Sequence, residues 1–206
     1  MNPTPPVGLD EREVDPNPIN QFRRWFEDAK ATGLPLPEAM TLATSSSGSF
    51  PSARLVLLKQ VDERGFVFYT NYQSRKARDL DANPFAALVF YWPQLDYQVR
   101  VEGTVTRTLD AESDEYFQTR PRDSQVGAIA SPQSEVIASR EVLEKRFAEL
   151  EESYAGKAIP RPEHWGGYRV KPERIEFWKS RPGRLHDRLR YERQSDGTWR
   201  CVRLAP

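Results

Sequence analysis

The stretch Ser52-Ala-Arg-Leu-Val-Leu-Leu-Lys-Gln-Val-Asp-Glu-Arg-Gly-Phe-Val-Phe-Tyr-Thr70 decides the fold class. Leu55 to Leu58 are apolar at every position, so both faces of an extended segment carry apolar side chains, the pattern of a buried strand. Asp62 to Gly65 reads as a turn, and Phe66 to Thr70 as the next strand. Upstream, Ala39 to Ser45 is a third strand, followed by a turn around Ser47-Gly48. Downstream, Phe85 to Trp92 and Tyr97 to Thr108 read as a paired couple. Four further strands are expected in the tail: Gly167 to Val170, Ile175 to Lys179, Leu185 to Arg193 and Thr198 to Leu204, the last two joined by an Asp196-Gly197 hairpin.

Helical periodicity interrupts this series. Ile19, Phe22, Trp25, Phe26 and Ala29 share one face, with Gly33 as a stop. Ser74 is placed to cap a helix from Arg75 to Ala82, which Asn83-Pro84 ends. Asp110 to Thr119 is helical until Pro121. Ser139 opens a helix through Tyr154, with Leu143, Phe147, Leu150 and Tyr154 as its stripe and Gly156 as its stop. Consecutive strands with helices between them predict a mainly β, largely antiparallel barrel. Residues 1–15 are proline-rich and apolar-poor and read as a flexible arm. Residues 16–206 read as one domain.

Composition narrows the function. The chain has 206 residues, 30 basic and 30 acidic, for a net charge of +0. That balance speaks against a general nucleic-acid binder. No apolar run approaches the ~20 residues needed to span a membrane, and Met1 to Asp10 lacks the pattern of a secretory signal. A single cysteine, Cys201, excludes an internal disulfide and fits a reducing compartment. With only His164 and His186 beside it, a Cys/His zinc site is excluded. G-x-G-x-x-G, G-x-x-x-x-G-K-[ST] and G-x-S-x-G are all absent from the sequence. An enzyme so poor in reactive side chains needs a bound cofactor to carry its chemistry.

Three basic clusters stand out. Strand alternation places Arg184, His186 and Arg188 on one face. Arg75 and Lys76 lie in a helix first turn, where free N–H groups favour an anion but cations oppose the dipole. Tyr116, Arg120 and Ser124 recur every four residues, a spacing that lines one helix face if Pro121 does not break it. Each cluster alone is also an ordinary solvated face. Together they point to more than one phosphate-bearing ligand. Trp178 reads as core, His164 as structural, and Cys201 as a small buried residue.

Arg54-Leu-Val-Leu-Leu-Lys59, Phe68-Tyr-Thr-Asn71, Ser74-Arg-Lys76, Arg120-Pro-Arg-Asp-Ser-Gln125, Trp165-Gly-Gly167, Ile175-Glu-Phe-Trp178, Arg184-Leu-His-Asp-Arg188 and Arg203-Leu-Ala-Pro206 closely resemble, in order and spacing, the pyridoxamine 5'-phosphate oxidase family. The resemblance runs from about Asp15 to the end. It implies an FMN-binding split β-barrel, a cytoplasmic homodimer with FMN at the subunit interface, and oxidation of pyridoxamine or pyridoxine 5'-phosphate by oxygen. It assigns Arg54, Leu55, Val56, Leu57, Leu58, Lys59, Tyr69, Thr70, Arg75, Lys76, Gln98, Gln133, Ser134, Trp178 and Arg188 to FMN. Lys59, Tyr116, Arg120 and Ser124 would hold the substrate phosphate. Arg184, Leu185 and His186 would meet the substrate, with Arg184 and His186 nearest the chemistry. Two positions depart from the family pattern. No tyrosine precedes Tyr69 to serve as an N-terminal lid, where the arm offers only Arg12, and Glu38 is shifted relative to Ala39-Met40. A split-barrel flavoprotein with another substrate, or a non-catalytic flavin or pyridoxal phosphate carrier, remain the alternatives.

Overall fold

The computed structural model describes residues 8–46, 48 and 50–206. Nine strands form one curled antiparallel sheet: β1 (Ala39–Thr44), β2 (Ser52–Leu57), β3 (Gln60–Asp62), β4 (Gly65–Asn71), β5 (Phe85–Trp92), β6 (Tyr97–Arg107), β7 (Trp165–Lys179), β8 (Asp187–Arg193) and β9 (Trp199–Arg203). The order is β2-β1-β5-β6-β7-β4-β3, with β8 on β7 and β9 on β8. The helices are α1 (Pro18–Ala31), α2 (Arg75–Ala82), α3 (Asp110–Thr119), α4 (Arg122–Ala130) and α5 (Arg140–Ser153). Among the described residues, no helix is long and apolar enough to cross a membrane.

The seam is β7. Its first half, Trp165 to Val170, pairs with β4, and its second half, Arg174 to Lys179, pairs with β8, while β6 runs beside both. The tail sequence predicts two strands here, Gly167 to Val170 and Ile175 to Lys179. The chain instead continues as one 15-residue strand. Pro172 falls in the gap between β4 and β8, opposite a β-bulge at Glu102/Gly103. Those are the places where a sheet tolerates a missing N–H.

The barrel is plugged by α1. Asn17 caps it by accepting from the Ile19 N–H at 2.9 Å, and Pro18 supplies the first-turn φ. The expected face is the buried one: Ile19, Phe22, Trp25 and Ala29 all lie inside. Phe22 meets Phe66 edge-on at 4.9 Å, and Trp25 stacks on Tyr97 at 3.9 Å. Burying such a side chain contributes about 1.5–3 kcal/mol. A second, smaller core joins Phe117, Val126, Ile159 and Trp165, against which the α5 residues Phe147 and Leu150 and the adjoining Tyr154 pack.

Several expectations are corrected. The Leu55–Leu58 strand is not buried on both faces. β2 is an edge strand, Leu55 is 72% exposed, and only Leu58, just beyond the strand, is fully inside. Ser74 makes no capping bond to its helix. α4 was not expected, since its sequence carries little amphipathic signal. Ser47 lies outside the described residues, whereas Gly48 sits in a turn at φ +73°.

Arg184 and Leu185 do not belong to a strand. They lie in a tight turn, Pro182–Arg184 and the residue after it, with Arg184 at φ +61°. The alternation argument for Arg184, His186 and Arg188 therefore fails, because β8 begins only at Asp187. Residues 8–15 of the arm are more ordered than their composition implies, and residues 1–7 lie outside the described residues. Leu9 is buried, its N–H donates to Asp187 Oδ2 at 3.1 Å, and Arg203 forks onto Glu11 with two 2.7 Å contacts. A single apolar anchor plus a bidentate ion pair offsets the low apolar content of residues 8–15.

Candidate functional site

One cavity of about 920 Å³ opens between β2, β4, α2 and the α3–α4 junction. Arg54, Leu55, Val56, Leu57, Lys59, Tyr69, Thr70, Arg75, Lys76, Tyr116, Arg120, Ser124, Gln133 and Ser134 all line it. Segments far apart in sequence thus converge as the resemblance requires. Leu58 faces the core instead.

Lys76 is buried on the first turn of α2. Its Nζ donates to Gln133 Oε1 at 2.8 Å, Thr70 Oγ1 at 3.1 Å and Ser74 Oγ at 3.2 Å. These partners are neutral. Burial, with Arg54 as a second cation nearby, lowers its pKa to about 8. Gln133 is held in place because Thr70 also donates to it at 3.0 Å and Arg78 pins the same loop through Glu135 at 2.8 Å. Ser134 sits at φ +75°, a left-handed turn that turns the loop toward α2.

Arg120 ends α3, and Pro121 starts α4 rather than breaking the site. Tyr116, Arg120 and Ser124 consequently share the cavity although no continuous helix carries them. The Arg120 guanidinium lies over the Trp165 ring at 4.6 Å. Its Nη1 is buried with no hydrogen-bond partner among the described residues, and burial lowers its pKa. An orphaned buried N–H beside hydroxyls of Tyr116 and Ser124 fits an anionic oxygen. Tyr69 stacks on Tyr116 at 4.1 Å and on Trp165 at 5.4 Å, and those two rings lie 6.2 Å apart, making an aromatic wall. A Cβ at Gly167 would stand 2.5 Å from Thr108 Oγ1 and 2.8 Å from Tyr69 Cε1, so the glycine there lets that wall close.

Asn71, Thr119, Ser131 and Trp165 also line the cavity. Sequence reasoning passed over them as site residues. Trp165 and Asn71 could have been found from their places in the Trp165-Gly166-Gly167 and Phe68-Tyr-Thr-Asn71 strings; Thr119 and Ser131 are unremarkable polar residues.

The remaining assigned residues do not line this cavity. Gln98, Trp178 and Arg188 are register neighbours across β6, β7 and β8. Arg188 donates to buried Glu176 at 2.8 Å and to the Ala205 carbonyl at 2.9 Å. His186 lies against Trp178 with ring centroids 4.7 Å apart, and its Nδ1 accepts from the Arg181 N–H at 3.1 Å. Arg184 and Leu185 are exposed beside it. His164 is structural, with Nε2 at 3.1 Å from the Ala128 carbonyl.

Comparison with known proteins gives the family and the fold. Residues 26–154 match the family model described as pyridoxamine 5'-phosphate oxidase. Residues 165–206 match the pyridoxine 5'-phosphate oxidase C-terminal dimerisation region. A pyridoxine/pyridoxamine 5'-phosphate oxidase of Rubrobacter xylanophilus is 62% identical over 200 residues, 97% of this chain and 92% of the relative. One of Nostoc sp. is 57% identical over 97% of this chain and 93% of the relative. The solved structure of PhzG from Burkholderia lata, in complex with tetrahydrophenazine-1-carboxylic acid, superposes with a TM-score of 0.91 at 33% identity, covering 98% of both chains. An FMN-binding, pyridoxamine 5'-phosphate oxidase-related protein of Nostoc punctiforme shares the fold, with a TM-score of 0.72 at 16% identity over 94% of this chain and all of that one. On the strength of these family-model matches and these relatives, the chain belongs to the pyridoxine/pyridoxamine 5'-phosphate oxidase family.

Proposed function

We propose that this protein is an FMN-dependent oxidase, acting as a cytoplasmic homodimer, that converts pyridoxamine 5'-phosphate and pyridoxine 5'-phosphate to pyridoxal 5'-phosphate. The amine reaction consumes oxygen and water and releases hydrogen peroxide and ammonia; the alcohol reaction releases only hydrogen peroxide. The observation that carries this reading is a pair of cations on separate walls of one cavity, buried Lys76 and half-buried Arg120 with its buried Nη1, neither held by a carboxylate among the described residues. Two phosphates, one on the cofactor and one on the substrate, match two such groups.

Lys76, Arg75 and Arg54, with the hydroxyl of Thr70 and the amide of Gln133, suit the FMN phosphate. When bound, FMN supplies two-electron acceptor chemistry with oxygen as the terminal oxidant. Arg120, Tyr116, Ser124 and Lys59 hold the substrate phosphate, and fixing it removes the rotational freedom the reacting carbon would otherwise retain. The Tyr69, Tyr116 and Trp165 wall keeps water from that side.

Gln98, Trp178, Arg184, Leu185, His186 and Arg188 lie in or beside the strands of the dimerisation region. We assign them to the site of a second copy, so that each complete site takes one wall from each chain. His186 accepts at Nδ1, so its neutral ring carries the proton on Nε2. Nε2 is the atom that exchanges a proton with the substrate amine or hydroxyl. Arg184 orients the substrate beside it.

The test is anaerobic. FMN-loaded protein is mixed with pyridoxamine 5'-phosphate without oxygen, and the flavin absorbance is followed. Bleaching, with recovery on admitting air, is the expected result. A tightly bound flavin that bleaches with neither the amine nor the alcohol overturns the substrate assignment and favours another substrate or a carrier.

A further inference from the structure

Asp79 lies on α2, close after Lys76, and is 6% exposed. A buried carboxylate is expected to sit on a cation, yet its nearest contact with Arg54, from Nη2, is 4.0 Å. Two hydroxyls stand between them. Asp79 Oδ2 accepts from Thr44 Oγ1 at 2.7 Å and from Ser52 Oγ at 3.1 Å. The same two oxygens accept from Arg54, Thr44 Oγ1 from Nη1 at 2.8 Å and Ser52 Oγ from Nη2. Arg54 Nη1 also donates to the Leu42 carbonyl at 3.2 Å. The register of β1 and β2 builds the arrangement: Thr44 faces Ser52, and Leu42 faces Arg54.

A hydroxyl has one proton and two lone pairs. The carboxylate commits both protons to Oδ2, which leaves the lone pairs to Arg54 and fixes the guanidinium plane. A direct fork onto Asp79 would turn both terminal nitrogens to the carboxylate and neutralise the charge in place. The interposed hydroxyls keep the orientation while leaving Arg54 on the cavity lining as a cation.

We propose that Asp79, acting through Thr44 and Ser52, is a positioning residue that holds Arg54 to receive the phosphate of the cofactor. This rests on the reading of the cavity as the FMN site. The sign of the effect separates positioning from simple charge. Removing a negative charge beside an anion site strengthens anion binding by Coulomb's law; losing the orientation of Arg54 weakens it.

The experiment compares wild type with Asp79→Asn, and with Thr44→Val, which keeps the charge and nearly the shape. Three ligands are used: FMN and riboflavin, followed by flavin fluorescence, and inorganic phosphate, followed by the melting temperature of the flavin-free protein. The expected result is an FMN Kd raised about tenfold in both variants, the scale of one charge-assisted hydrogen bond. Riboflavin, which has no phosphate, should be unaffected, and stabilisation by inorganic phosphate should be lost. Unchanged or tighter FMN binding by Asp79→Asn overturns the proposal. So does an equal loss for riboflavin, which marks general damage to the cavity. If wild type responds to inorganic phosphate but not to FMN, the cofactor reading fails. The positioning role is then decided by phosphate alone, supported if the variants lose the response and overturned if they keep it. A wild type that responds to none of the three ligands overturns both.

Discussion

The cavity around Lys76 and Arg120 and the turn around Arg184 and His186 are both rich in arginine, but the arginines do different work. Arg120 is half-buried, with a buried Nη1 that has no partner among the described residues, and stacks on an indole. Arg188, a short way along the chain from Arg184, is bonded to the buried carboxylate of Glu176. An arginine already satisfied by a carboxylate is scaffold first; one stacked and unsatisfied is a binding group. The two regions differ in completeness too. The cavity is walled by six elements of one chain, whereas the turn presents Arg184 and Leu185 exposed and outside that lining.

The sharpest way to break this contrast is to damage each region on a different chain. His186→Ala should lower kcat about 100-fold, the scale of a lost proton-transfer group, with FMN still bound. Normal turnover in that variant rules out a proton role for His186. Co-expressed with an Arg120→Ala chain and assayed at substrate well below the wild-type KM, where both single variants are impaired, it should recover about a quarter of wild-type activity, because half the dimers are mixed and each of those has one intact site. No recovery, with mixed dimers confirmed by mass spectrometry, means that each site is built within one chain.

Arg120→Ala by itself should raise KM for pyridoxamine 5'-phosphate about thirtyfold and change kcat little, since a charged hydrogen bond is worth about 1.5–3 kcal/mol. A fall in kcat at unchanged KM would move Arg120 from anchoring to chemistry.

A smaller effect is expected from pH. Lys76 has a pKa lowered to about 8 by burial, so it loses its charge as pH rises through that value. A phosphate monoester, with its second pKa near 6, is already a dianion there. FMN affinity should therefore be flat from pH 7 to 8 and weaken by up to about tenfold per unit above that, the limit for one proton. Lys76→Arg should remove the decline. Fluorescence titrations from pH 6 to 10 decide it, and a decline that persists in the arginine variant excludes Lys76 as its source.

The least effect belongs to the arm. Glu11 and Arg203 are both partly exposed, so Glu11→Gln should cost only about 0.2–1 kcal/mol of stability in a denaturant titration. A larger loss would show that the arm belongs to the structural core.

Much of this was legible in advance wherever one local rule governed the outcome. The periodicity of Ile19, Phe22, Trp25 and Ala29 located α1, and Arg75 to Ala82 matches α2 residue for residue. The Tyr116, Arg120 and Ser124 spacing pointed to a shared cavity, although the reason differs: Pro121 redirects the chain between two helices. The reading failed where pairing partners mattered. Leu55 looked buried because its neighbours are apolar, but β2 has a strand on one side only. Gly167 to Val170 and Ile175 to Lys179 read as two strands, yet they are one, because Pro172 falls in the gap between β4 and β8 where its missing N–H is harmless.

The sequence by itself determined the chemistry and the local geometry. Residue type sets charge, hydrogen-bonding capacity and backbone preference, and those travel with each string wherever it lands. The tertiary structure decided which cations are left without carboxylates, that Asp79 reaches Arg54 only through Thr44 and Ser52, and that Lys76 titrates near 8. Each depends on distance and burial between segments remote in the chain, and electrostatics and solvation are properties of that spacing rather than of residue order.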